Sequence, residues 1–148
     1  MRRRRAAAMA GLCLVGLLTS ACKSDTDKYC DEVKAQQKTL TELTANPDPD
    51  KIFDVLPPYE ALEAKAPDDI KAAWATVIDR YQQLQSALSD AHITPAEYRD
   101  SKWRQGLSTE QVSSVLRAAA GLVDPATHAA INAVQQQALD VCHTPLSF

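Results

Sequence analysis

The sequence predicts an all-α domain, an up-down helical bundle of about four long helices with short helical pieces between them. Three observations carry that prediction. The composition is rich in Ala, Gln, Leu, Asp and Glu while Gly is only 4 of 148 residues, two of them before Cys22, which leaves little for hairpins, propellers or phosphate-cradling loops. Apolar residues recur at three- and four-residue spacing over long stretches, most clearly at Ile70, Trp74, Val77, Tyr81, Leu84 and Leu88. Helix-start chemistry is repeated along the chain, with Thr94-Pro95-Ala96-Glu97 and Ser108-Thr109-Glu110-Gln111 both forming capping boxes.

The first element is an address. Met1 to Arg5 is basic, Ala6 to Leu18 is an apolar run of 13 residues, and Thr19-Ser20-Ala21 is a small-residue exit before Cys22. Such a run is too short to span a hydrocarbon core of about 30 Å by itself, so it reads as an export signal over 1–21. The four arginines are compatible with either the general secretory or the twin-arginine route. Leu18-Thr19-Ser20-Ala21-Cys22 resembles the lipobox of bacterial lipoproteins, in which a small residue precedes a Cys that is acylated and becomes the new N-terminus. Ala21 and Cys22 match that pattern, whereas Leu18 stands one place upstream of its usual position and Thr19 replaces an aliphatic residue. The resemblance implies lipidation at Cys22, a lipidated tether over 22–26 and anchoring to the outer side of the cell membrane, since two acyl chains supply the two signals that stable anchoring needs.

Cysteine count follows from that address. Cys13 falls in the discarded segment and Cys22 is taken by lipid, so Cys30 and Cys142 are left as a pair in an oxidising compartment. A bridge between them would close a loop of about 113 residues, worth roughly 4.8 kcal/mol in the chain-entropy model. The alternative is two buried free thiols. A metal site is a weaker reading, because no CxxC or HxxxH spacing accompanies them.

The domain then occupies 27–148. From Asp27 to about Ala45, Tyr29, Val33, Leu40 and Leu43 form a helical stripe, with Gln36 or Gln37 filling its gap. Asn46-Pro47-Asp48-Pro49-Asp50 ends that helix as an extended acidic connector. Lys51 to Leu56 makes one or two turns, Pro57-Pro58 breaks the chain, and Tyr59 to Ala64 makes another short piece. Pro67-Asp68-Asp69 opens the strongest helix, since Pro suits a first turn and both acids favour its positive end. A further helix starts at Thr94 and should stop at Gly106. The next opens at Ser108, turns Val112, Val115, Leu116 and Ala119 inward, and ends at Gly121. The last starts at Asp124-Pro125, places Ile131, Val134, Ala138 and Val141 on one face, and ends near Cys142, leaving 143–148 as a tail. If Cys30 and Cys142 are bridged, the first and last helices should lie antiparallel with the bridge at one end.

Charge excludes one function class. Sixteen basic residues oppose 19 acidic ones, but without Arg2 to Arg5 the count is 12 against 19, a formal charge of −7. A protein that neutralises phosphates needs clustered Lys and Arg, so no nucleic-acid partner is expected. No catalytic residue, cofactor or metal site is assigned either. His92, His128 and His143 are scattered, the last two about 22 Å apart along a straight helix. Asp48, Asp50 and Asp54 lack the Gly and the terminal acid of an EF-hand loop. Asp68-Asp69 reads as a helix start, and Glu60 with Glu63 as a solvated face.

One local concentration stands out. Tyr98, Arg99, Lys102, Trp103 and Arg104 gather basic and aromatic residues on an acidic protein, the composition enriched where proteins bind partners. The simpler role for Trp103 or Tyr98 is to plug the end of the bundle. Together, the lipobox-like signal, the Tyr29-Cys30 start, the Ala-Pro-Asp-Asp-Ile helix opening and the Val141-Cys142 end resemble the small secreted lipoproteins of high-GC Gram-positive bacteria, a type that carries no established functional residue. The expected function is a non-enzymatic binding or interaction module of the cell envelope, with an envelope protein, polymer or small ligand as partner. The alternative is a cofactor-free hydrolase whose carboxylates are assembled only by the fold.

Overall fold

The computed structural model describes residues 23–148; the export signal expected over 1–21 and the expected lipidation site Cys22 lie outside the described residues. The described residues form an all-α fold without strands. Its elements are α1 (Asp25–Ala45), a 3-10 helix (Pro49–Val55), α2 (Leu56–Lys65), α3 (Asp68–Asp90), α4 (Pro95–Arg99), α5 (Thr109–Leu122) and α6 (Pro125–Cys142). None of these helices is long and apolar enough to cross a membrane.

Helix α1 begins two residues before Asp27 because Ser24 closes a capping box. The Asp27 N–H donates to Ser24 Oγ and the Ser24 N–H donates to Asp27 Oδ2, both at 3.1 Å. Pro57 and Pro58 do not break the chain. The 3-10 helix runs directly into α2, and the two prolines sit in its first turn, where a missing N–H leaves no helical bond unmade.

Helix α3 follows the expected span and is the central element, packing against α2, α5 and α6. Its buried stripe includes Ile70, Trp74, Val77, Leu84 and Leu88, while Tyr81 is half-buried. Helix α1 packs mainly on α2 and makes less contact with the 3-10 helix and with α6. What joins the first helix to the last is covalent: Cys30 and Cys142 form a disulfide with their Cα atoms 5.0 Å apart, inside the usual range for such bridges.

Four further expectations need correction. Helix α4 stops at Arg99 instead of reaching Gly106, because Asp100 adopts an extended conformation and its Oδ1 accepts the Lys102 N–H at 2.7 Å. The following turns carry Trp103 inward and close at Gly106, whose φ of +84° suits glycine. Gly121 does not terminate α5; it is helical, and a Cβ there would meet Arg80 Cδ at 3.2 Å. Leu116 and Val141, expected inward, are 41% and 44% exposed. Burial falls instead on Val115 and Ala118 of α5, and on Thr127, Ala130, Val134, Ala138 and Cys142 of α6.

The fourth correction concerns residues 143–148. His143 turns the chain out of α6 in a left-handed conformation (φ 52°), and the segment then returns over the core. Thr144 and Leu146 are buried, and Phe148 stacks on Tyr59 and Trp74 with ring centroids at 5.2 and 5.8 Å. Gln37, expected only to fill a gap in the α1 stripe, donates from Nε2 to the Pro145 carbonyl at 3.2 Å. The segment is a strap.

Buried side chains divide into two clusters that share α3. The first contains Tyr29, Leu40, Tyr59, Leu62, Trp74 and Val134, with the disulfide at its edge. The second contains Leu84, Leu88, Trp103, Val115 and Ala118. Phe53 of the 3-10 helix packs against both and marks the seam.

Candidate functional site

The five residues of the basic and aromatic concentration separate into two groups. Tyr98 and Trp103 turn toward the second cluster, their rings 5.1 Å apart, and the Arg104 guanidinium lies 4.7 Å above the Trp103 ring. That stacking holds the guanidinium against an aromatic face. Lys102 is exposed on an open groove with Glu97 and Asp100. Arg99 goes elsewhere. At the last residue of α4 it lines two clefts on the other side of the helix, and among the described residues it makes no ion pair.

Both clefts lie along the seam and share Ile52 and Arg99. One, of about 230 Å³, is walled by Leu43 of α1, Val55, Tyr59, Tyr81 and Phe148, with Asp48 and Lys51 at its margin. The other, of about 250 Å³, is walled by Leu84 and Leu88 of α3, Leu122 and Val123 at the end of α5, and Pro95 and Tyr98 of α4. The sequence places these walls by ordinary means. The Thr94 capping box starts α4 beside the 3-10 helix, and Asp50 Oδ1 accepts the Ala96 N–H at 3.3 Å across the two. Asp48 caps the 3-10 helix by accepting the Asp50 N–H and pairs with Lys51 at 3.7 Å, so both side chains are already engaged.

Tyr59 is the unusual group at this site. Its side chain is fully buried and lines the first cleft, yet among the described residues its hydroxyl makes no well-formed hydrogen bond, only a weak interaction with the Tyr81 side chain. Buried polar groups are otherwise almost always paired. Burial and the neighbouring Tyr81 raise the Tyr59 pKa far above the ordinary phenol value, so the group is a neutral O–H at any physiological pH. Tyr29 and Tyr81 are also raised, mainly by burial, but Tyr29 Oη has a partner in Trp74 Nε1 at 3.0 Å.

Carboxylates whose pKa moves all move down. Asp25 is lowered by its hydrogen bond to Lys28, Asp27 by the Ser24 hydroxyl and backbone, and Asp124 by the Thr127 N–H with Arg80 as a smaller contributor. Each sits at a helix start, where such bonds favour the charged form. A general acid would need the opposite shift. A wider groove of about 410 Å³ between α3 and α5 is polar and open, and its Asp79 and Gln83 bond to each other at 2.7 Å. Among the described residues no group of three or more His, Cys, Asp or Glu is placed to hold a metal ion.

Sequence reasoning singled out Arg99 but not the walls around it. Tyr59, Tyr81 and Phe148 come together from three separate segments, so no local spacing could group them. One signal was available: Thr144, Leu146 and Phe148 alternate with Pro145 and Ser147, the period-two pattern of an extended segment with one face buried. No protein family, curated protein or solved structure matches the chain.

Proposed function

We propose that this chain is a membrane-anchored extracytoplasmic lipoprotein, and that its helical domain is a non-enzymatic binding module of the cell envelope. Its ligand would enter the paired clefts that meet at Ile52 and Arg99. The observation that carries this reading is the Tyr59 hydroxyl, buried on the wall of a cleft with no more than a weak interaction with Tyr81, where a ligand polar atom would satisfy it. An aromatic and aliphatic wall with a few polar groups is the usual make-up of a small-molecule site. The same clefts supply no nucleophile paired with a base, which is why binding is preferred to hydrolysis.

Anchoring at Cys22 and binding at the clefts fit one geometry. Cys22 precedes the first turn of α1, whereas Leu43 and Thr44 line the first cleft at its other end, a helix of 21 residues away. That is about 30 Å of rise, enough to present the site away from a membrane surface. An acidic mature domain favours neither nucleic acid nor close approach to anionic lipid.

The test uses the full chain and anilinonaphthalene sulfonate, an aromatic anion that fluoresces in apolar sites. One saturable site is expected, lost on Ile52→Trp, which fills the shared wall, with helical circular dichroism and Tm unchanged. Absence of binding, or binding indifferent to Ile52→Trp, would overturn the site. Anchoring is tested separately: Cys22→Ala should abolish labelling by a clickable palmitate in cells, and retained labelling would refute it.

A further inference from the structure

We propose that the ligand of the paired clefts is a medium-chain aliphatic monocarboxylate, its chain held in the second cleft, beside Leu84, Leu88 and Leu122, and its carboxylate on Arg99. This rests on the binding reading above and names the ligand class. The second cleft is walled mainly by the aliphatic Leu84, Leu88, Leu122, Val123 and Ile52, with Tyr98 as its one aromatic, and among the described residues Arg99 is the only charged one that lines it. Val123 is 69% exposed, so part of this apolar wall faces solvent in the free protein. An unbranched hydrocarbon chain would cover it.

Charge selects the head group. Arg99 has no ion-pair partner among the described residues, while Asp48 and Lys51, the other charged residues that line the first cleft, pair with each other at 3.7 Å. The seam therefore offers one unanswered positive charge, and a guanidinium matches a carboxylate with two parallel hydrogen bonds. A polyanion would meet one cation and a domain of net negative charge. Size selects the tail. At about 250 Å³ the cleft is below the roughly 300–1,000 Å³ of sites for drug-sized ligands, which suits a single medium-length chain.

The test is photolabelling of the full chain in phosphatidylcholine vesicles with decanoate carrying a terminal diazirine, read by peptide mass spectrometry. Crosslinks are expected in the segments of Leu84–Leu88 and Ala119–Val123, displaced by unlabelled decanoate. Labelling there should fall about tenfold in Arg99→Gln and about tenfold when the probe is the neutral decanol analogue, the loss of a charge-assisted bond. Arg99 and Val123 are both exposed, so neither Arg99→Gln nor Val123→Asp should disturb folding, and Val123→Asp should exclude the anionic chain as effectively. Equal labelling by the alcohol, indifference to both variants, or displacement by vesicle phosphatidic acid in preference to decanoate would overturn the proposal, the last by assigning the cleft to a membrane lipid. Loss of anilinonaphthalene sulfonate binding in Ile52→Trp without decanoate labelling would refute the ligand class alone; failure of both probes would refute the site.

Discussion

The cluster around Tyr29, Tyr59 and Trp74 and the cluster around Leu88, Trp103 and Val115 are built on the same central helix, yet they are closed by different means. The first draws on α1, α2, α3, α6 and the returning strap, elements from both ends of the domain, and a disulfide locks its edge. The second is assembled from the end of α3, the turns after α4, and α5, which are consecutive in sequence. Its boundaries are set by caps: Thr94, Asp100 and Ser108 each satisfy backbone N–H groups at the joints. Distant contacts with covalent closure thus give a deep aromatic core on one side, whereas local closure gives a shallower one on the other. The clefts lie where the two meet, along Ile52, Phe53 and Arg99, and a seam is where packing leaves space.

The sharpest way to test that division is to remove the bridge. Cys30 and Cys142 are 112 residues apart in sequence, and in the chain-entropy model their reduction removes roughly 4.8 kcal/mol. Thermal melts should show a large fall in Tm, and hydrogen exchange should accelerate more in α1 and α6 than in α5. Equal acceleration throughout would make the two clusters one cooperative unit.

Paired truncations come next. Trp74→Ala empties the fully buried centre of the first cluster and strands the Tyr29 hydroxyl, so denaturant unfolding should register a loss at the upper end of about 3–5 kcal/mol. Trp103→Ala acts at the rim of the second cluster, where the ring is 9% exposed, and should cost near the lower bound of about 3 kcal/mol. A reversed order would show that the second cluster is the better packed.

Tyr59→Phe should go the other way. Deleting a buried hydroxyl that makes no well-formed hydrogen bond relieves its desolvation penalty, and a gain of up to about 1 kcal/mol is expected at pH 7. Because the folded-state pKa is raised, the stability associated with the neutral phenol is fully present below the unfolded value near 10 and is lost as pH rises above it. The variant should therefore lose less stability than the parent in melts between pH 9 and 11. Identical alkaline profiles would show that Tyr59 does not titrate on unfolding.

The smallest effect is expected at the joint between α5 and α6. Asp124 caps α6 with a depressed pKa, which contributes stability above the unfolded value near 4 and loses it as pH falls through the lower folded value. Asp124→Asn keeps a capping side chain but removes the charge, so the Tm difference from the parent should be small at pH 7 and vanish below about pH 3. A difference that persists in acid would assign the effect to geometry instead of charge.

What the sequence alone determined about this protein is local. Helix class, the span of α3, and the starts of α4, α5 and α6 follow from spacing and from Thr94, Ser108 and Asp124-Pro125, because a cap acts on N–H groups within three residues of itself. Cysteine count pointed to Cys30 and Cys142, the one long-range contact with a covalent signature. The box of Ser24 with Asp27 is equally local and lengthens α1 by two residues. Only the tertiary structure decided the rest. Gly121 lies inside α5 where Arg80 of α3 leaves little room for a side chain; Leu116 and Val141 face solvent because no described element covers them; and Tyr59, Tyr81 and Phe148 share a cleft although each belongs to a different stretch of chain. Periodicity tells which residues share a helix face, but which faces meet, and where a gap is left between them, depends on contacts between residues far apart in sequence.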